Sequence, residues 1–137
     1  MSNEASGYGK MHCFNRMTGQ SVGYMGTHDN YVSLVTDAAE AAPVKWEPHG
    51  NDEYLAKGTT PNDRYLAVST RDYAGWDLWA NIHLKAVVLN EDGTISIKGE
   101  PNRKLYGPYR SMGVDYACWT TEEDKDNSNI LVCKLED

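Results

Sequence analysis

Ala86-Val87-Val88-Leu89-Asn90-Glu91-Asp92-Gly93-Thr94-Ile95-Ser96-Ile97-Lys98-Gly99 reads as two short β-strands around a tight turn. An apolar run ends at Leu89, Asp92-Gly93 offers the turn, and Ile95 and Ile97 then alternate with Ser96 and Lys98. Asp-Gly between two such runs is a strong hairpin signal, because glycine reaches the positive φ that the turn demands. Gly99 closes the second strand.

The pattern recurs twice. Apolar residues fall two and four places ahead of a closing glycine in each copy: Val22 and Tyr24 before Gly26, Tyr54 and Ala56 before Gly58, Ile95 and Ile97 before Gly99. A spacing of two places each pair on one face of a strand. A short polar turn and another strand follow each glycine, at Tyr31–Leu34, Tyr65–Val68 and Lys104–Tyr106. Three units of about forty residues indicate a repeat architecture.

Worked outward, the alternation predicts twelve strands, at 10–15, 21–25, 31–36, 44–47, 53–57, 65–70, 76–81, 86–90, 94–98, 104–109, 115–120 and 130–135. Residues 37–42 favour helix but number too few to stand alone, and Pro43 stops them, so they read as a connecting loop or one turn. Residues 1–9 read as a flexible tail, 10–137 as a single domain, and 122–129 as an exposed polar loop.

Twelve short strands in three related units resemble the β-trefoil superfamily, in which six strands close a barrel and three hairpins cap one end. That superfamily includes fungal and bacterial lectins, soybean-type and mushroom protease inhibitors, and actin-binding fascin-like domains. No tryptophan here follows a glutamine by two places, so the ricin-B Gln-x-Trp signature is absent. The expected fold is all-β, a β-trefoil, with a β-sandwich as the alternative.

Composition narrows the class. With 137 residues, 40% hydrophobic and 24% charged, the chain can bury a core and is not of the disordered type. A net charge of −7 with scattered basic residues argues against nucleic acid as a partner. No run of eighteen apolar residues suggests a membrane span. The first residues lack the basic and apolar regions of a signal peptide, so a cytoplasmic location, or release by a non-classical route, is expected. Three cysteines, Cys13, Cys118 and Cys133, favour free thiols, although one bridge between Cys13 and Cys133 stays open.

Site chemistry concentrates in 71–83, where two tryptophans, a tyrosine, two aspartates and an asparagine crowd together. Such residues bind sugars: aromatic faces take the C–H side of a pyranose, and Asp and Asn hold hydroxyl pairs. The candidates are Asp72, Tyr73, Trp76, Asp77 and Asn81, with Asp115, Tyr116 and Trp119 repeating the theme in the third unit. Alternation sends at least one of Trp76 and Trp79 into the core. Trp46 reads as a plug for the barrel, and Tyr106 and Tyr109, flanking Gly107-Pro108, as a second aromatic platform beside a strand edge or a strand ending.

His12, His28, His49 and His83 lack metal-ligand spacing, and Glu122–Asp126 lacks the glycine and spacing of a calcium loop. No catalytic or cofactor motif is present in sequence, so a non-enzymatic binder without cofactor is expected. The resemblance implies a carbohydrate-binding protein with a defence role, whose partners are glycans or glycoproteins, with a homodimer left open. Its alternatives are a protease inhibitor, acting through a loop at 59–63 or 122–129, and an actin-binding or other protein-interaction module.

Overall fold

The computed structural model describes residues 8–48, 54–58, 64–78, 86–121 and 127–136. Twelve strands form within them: β1 (Gly9–Asn15), β2 (Ser21–His28), β3 (Tyr31–Val35), β4 (Pro43–Pro48), β5 (Tyr54–Gly58), β6 (Tyr65–Val68), β7 (Ala74–Asp77), β8 (Val87–Leu89), β9 (Ile95–Ile97), β10 (Glu100–Ser111), β11 (Val114–Trp119) and β12 (Leu131–Glu136). The helical turn expected before Pro43 is a single 3-10 turn over Ala38–Glu40, capped by the Asp37 carboxylate, which accepts from the Ala39 N–H at 2.9 Å. No helix among the described residues is long and apolar enough to cross a membrane.

The β8–β9 hairpin shows how the local sequence acts. Leu89 pairs with Ile95, so the connection takes in Asn90 to Thr94 and is longer than Asp-Gly alone. The Gly93 N–H donates to Asn90 O at 2.9 Å, Gly93 takes φ 90°, and the Asp92 carboxylate accepts from the Thr94 N–H and hydroxyl at 3.0 and 2.7 Å.

Strand pairing closes on itself. β1, β4, β5, β6, β7, β3 and β2 follow one another by antiparallel ladders, and β2 returns to β1. This is a closed seven-stranded barrel. The other five strands lie outside the ring: β12 adds to β1, and β11, β10, β9 and β8 extend in turn from β3. The trefoil expectation is corrected by this path. A six-stranded trefoil barrel needs β8 and β9 in the ring, with ladders from β5 to β8 and from β9 to β12, and neither ladder occurs among the described residues. Nor do the strands divide into the two packed sheets of a sandwich.

The first repeat is also out of phase by one residue. Ala56, Ile95 and Ile97 are buried as expected, but in β2 the buried positions are Gly23, Met25 and Gly26, Val22 packs only partly against the core, and Tyr24 faces outward and stacks on His12 at 4.2 Å. A register shift between Cys13 and Phe14 causes this: Cys13 pairs with Gly23, and Phe14 with Ser21, leaving Val22 as the extra residue of a bulge. Gly23 sits at φ 109°, where an added Cβ would lie 2.5 Å from Val35 O. Only glycine fits there.

One contiguous core joins Met11, Met25, Val32, Val44, Leu66, Ile95, Ile97, Leu105 and Leu131, with Trp46 and Leu89 packed partly against it. Each such aliphatic side chain contributes about 1.5–3 kcal/mol by leaving water. Cys13 and Cys133 face each other across β1 and β12 as buried free thiols, their sulfurs 3.8 Å apart.

Candidate functional site: a tyrosine pocket at the hairpin tips

Three tight reversals meet at one end of the molecule. Asp29-Asn30 between β2 and β3, Arg71-Asp72 ahead of β7, and Met112-Gly113 between β10 and β11 each place consecutive residues at positive φ. Asn and Asp tolerate that conformation because their short side chains bond locally. Tyr31 begins β3 directly after the first turn and pairs with Gly75 of β7; Tyr116 of β11 pairs with Ser33 of β3; Tyr73 bridges to Cys118. These cross-hairpin contacts bring tyrosines from distant parts of the chain together.

The rings meet edge-on or tilted. Tyr73 lies 5.5 Å from Tyr31, 5.3 Å from Tyr116 and 5.7 Å from Tyr109, while Tyr31 and Tyr116 are 6.0 Å apart. His28 closes on Tyr116 from the far side at 6.0 Å. Such geometries favour aromatic clustering by about 0.5–1.5 kcal/mol per pair beyond burial. The rings wall a hollow of about 480 Å³ lined by Tyr31, Arg71, Tyr73, Ser111, Met112 and Tyr116. Tyr73 is hydrogen-bonded to Ser111 and Tyr109; burial above all pushes its phenol up, so it stays neutral at ordinary pH. Met112 stands at the rim, 99% exposed.

Charge in the hollow is one-sided. Arg64, Arg103 and Arg110 each face a carboxylate, at 3.8 Å from Asp77, 2.5 Å from Asp72 and 3.0 Å from Asp115. Arg71, exposed and at φ 55°, forms no ion pair among the described residues, and no carboxylate lines the hollow.

The residues singled out from sequence divide accordingly. Tyr73 and Tyr116 line the hollow. Asp72, Asp77 and Asp115 lie elsewhere, each against the arginine named above, and Asp77 also accepts from the Leu78 N–H at 2.8 Å. Trp76 and Trp119 are core residues whose indole N–H groups donate to Gly26 O at 3.2 Å and Ala67 O at 3.1 Å. Asn81 lies outside the described residues, as do Trp79, His49, His83, residues 59–63 and residues 122–126. Of the second platform, Tyr109 is 44% exposed and meets Tyr73 edge-on. Pro108 does not end its strand: β10 runs through it at the irregularity between Tyr106 and Tyr109. Tyr31, Arg71, Ser111 and Met112 were not singled out from sequence. Their signal lay in the turn chemistry beside them.

Among the described residues no group of three His, Cys, Asp or Glu side chains is placed to hold a metal. No family model, curated protein or solved structure matches the chain.

Proposed function

We propose that the chain is a carbohydrate-binding protein whose site is the tyrosine pocket at the hairpin tips. One observation carries the reading: three tyrosine rings, a serine hydroxyl and an arginine with no acidic partner among the described residues converge on one hollow of about 480 Å³, within the usual range of about 300–1,000 Å³ for small-molecule sites. Ring faces and edges take the C–H surface of a sugar, while the phenols and Ser111 exchange hydrogen bonds with its hydroxyls. Arg71 adds a planar fork suited to a carboxylate or sulfate. In a chain of net charge −7, a cation in the hollow favours acidic glycans, such as uronate-bearing, sialylated or sulfated ones.

A glycan array on the purified chain, followed by calorimetry on the best binder, tests this. Arg71→Ala weakens an acidic glycan about tenfold or more, since a hydrogen bond to a charged group contributes about 1.5–3 kcal/mol, and leaves the melting temperature unchanged. Full-strength binding by Arg71→Ala overturns the role given to Arg71. No glycan binding by the parent chain, together with tight inhibition of a protease, replaces this reading with that of an inhibitor.

A further inference from the structure

On β1, which contributes nothing to the tyrosine pocket, three side chains from three strands form a hydrogen-bonded line. His12 of β1 places Nε2 2.6 Å from Ser21 Oγ of β2 and Nδ1 2.9 Å from Glu136 Oε2 of β12. The imidazole is held in place by Phe14 at 4.1 Å and Tyr24 at 4.2 Å. We propose that Ser21, His12 and Glu136 form a nucleophile–base–carboxylate site that hydrolyses short-chain carboxylic esters. It stands independently of the glycan-binding reading.

The bulge in β2 builds it. In an unbroken ladder Val22 would face Phe14, and Ser21 would point to the opposite side of the sheet from His12. The extra residue makes Ser21 the partner of Phe14, which returns its side chain to the face carrying His12 and Phe14. Bulges often re-aim a side chain beside a site in this way. Gly23, whose conformation the bulge requires, also donates its N–H to Ser21 Oγ at 3.2 Å.

The partners fix the proton positions. A Glu136 carboxylate only accepts, so Nδ1 of a neutral His12 carries the hydrogen, and Nε2 presents its lone pair to the Ser21 hydroxyl. That is the tautomer a general base needs. Phe14, which packs on His12, also lines a hollow of about 280 Å³ together with Asn15, Arg16, Gly19, Val132 and Lys134, the last being His12's partner in β12. Phe14 and Val132 give it an apolar floor for an acyl group, and Arg16 and Lys134 bring positive charge for a developing oxyanion.

In the reaction Ser21 Oγ bonds to the ester carbonyl carbon as its proton passes to His12 Nε2. The tetrahedral adduct breaks its bond to the alkoxy oxygen, which takes that proton and departs as the alcohol. Water then adds to the acyl carbon, giving a proton to Nε2. Ser21 Oγ leaves, recovers the proton, and the carboxylic acid is released. Glu136 touches no substrate and acts as a positioning residue.

The test uses the full chain, a fluorophosphonate probe and p-nitrophenyl acetate. The expected result is a covalent adduct on the peptide carrying Ser21, found by mass spectrometry, with saturable ester hydrolysis. Ser21→Ala and His12→Gln each lower the rate at least about a hundredfold, the usual scale for removing a general base or its nucleophile. Glu136→Gln lowers kcat and leaves KM unchanged. No adduct on Ser21 in the parent chain overturns the proposal without reliance on any variant. So does hydrolysis that persists at the parent rate in a folded Ser21→Ala chain, which assigns the activity to surface amines.

Discussion

At the scale of single residues, several of the chain's aspartates bond to their neighbours in the fold. Asp72 and Asp115 face Arg103 and Arg110, and Asp92 ties down the turn that follows it. An aspartate in a sequence looks the same whether it awaits a hydroxyl pair or neutralises a nearby arginine, and the ion pairs become visible only in the fold. Tryptophan misleads in the same way: Trp76 and Trp119 are buried, and each satisfies its N–H on a backbone carbonyl. Tyr73 and Tyr116 stand out in sequence because they cluster with other aromatic residues, whereas Arg71 and Ser111 are marked only by the tight turns they belong to or adjoin. Gly23 gives the sharpest expectation at this scale. Gly23→Ala adds a methyl 2.5 Å from Val35 O at a φ of 109°, so equilibrium denaturation registers a loss of at least about 2–3 kcal/mol. A change below about half a kcal/mol shows that the β2 bulge is not as described.

Among the elements, the β8–β9 hairpin was the most legible, since its turn residues and alternation agree. The bulged β2 was the least, because a one-residue slip reverses every face that alternation assigns. The hairpin turn makes its own prediction. The Thr94 hydroxyl, and then the Thr94 N–H, hold the Asp92 carboxyl below its ordinary range, with partial burial opposing them. A carboxyl depressed on folding contributes stability that is complete above its unfolded value, about 4, and is lost as pH falls through the folded value. Asp92→Ala therefore costs about 1 kcal/mol or less at pH 7, the exposed setting keeping it small. The difference from the parent shrinks in urea titrations below about pH 3. A gap that holds constant into acid contradicts the hydrogen-bonded carboxylate. Cys118 belongs to this scale too: burial, the largest cause, pushes its thiol up to about 12. It therefore stays unmodified by iodoacetamide at pH 8 in the folded chain, where an exposed thiol would react.

For the whole molecule, strand positions followed from local alternation and ring closure did not. Which strand pairs with which is set by contacts distant in sequence, such as Tyr31 with Gly75 or Ser33 with Tyr116, and a repeat in sequence does not by itself specify the closing ladders. The same distance hid the pocket, whose lining comes from three hairpin tips between Tyr31 and Tyr116.

The most direct test of the central claim is an NMR titration of the isotopically labelled chain with the strongest acidic glycan from the array. Shift changes are expected to centre on Tyr31, Arg71, Tyr73, Ser111, Met112 and Tyr116, and to disappear at matched concentration in Arg71→Ala. Changes centred on Asp77 and Arg64, or no change at millimolar glycan, contradict a sugar site in the tyrosine pocket.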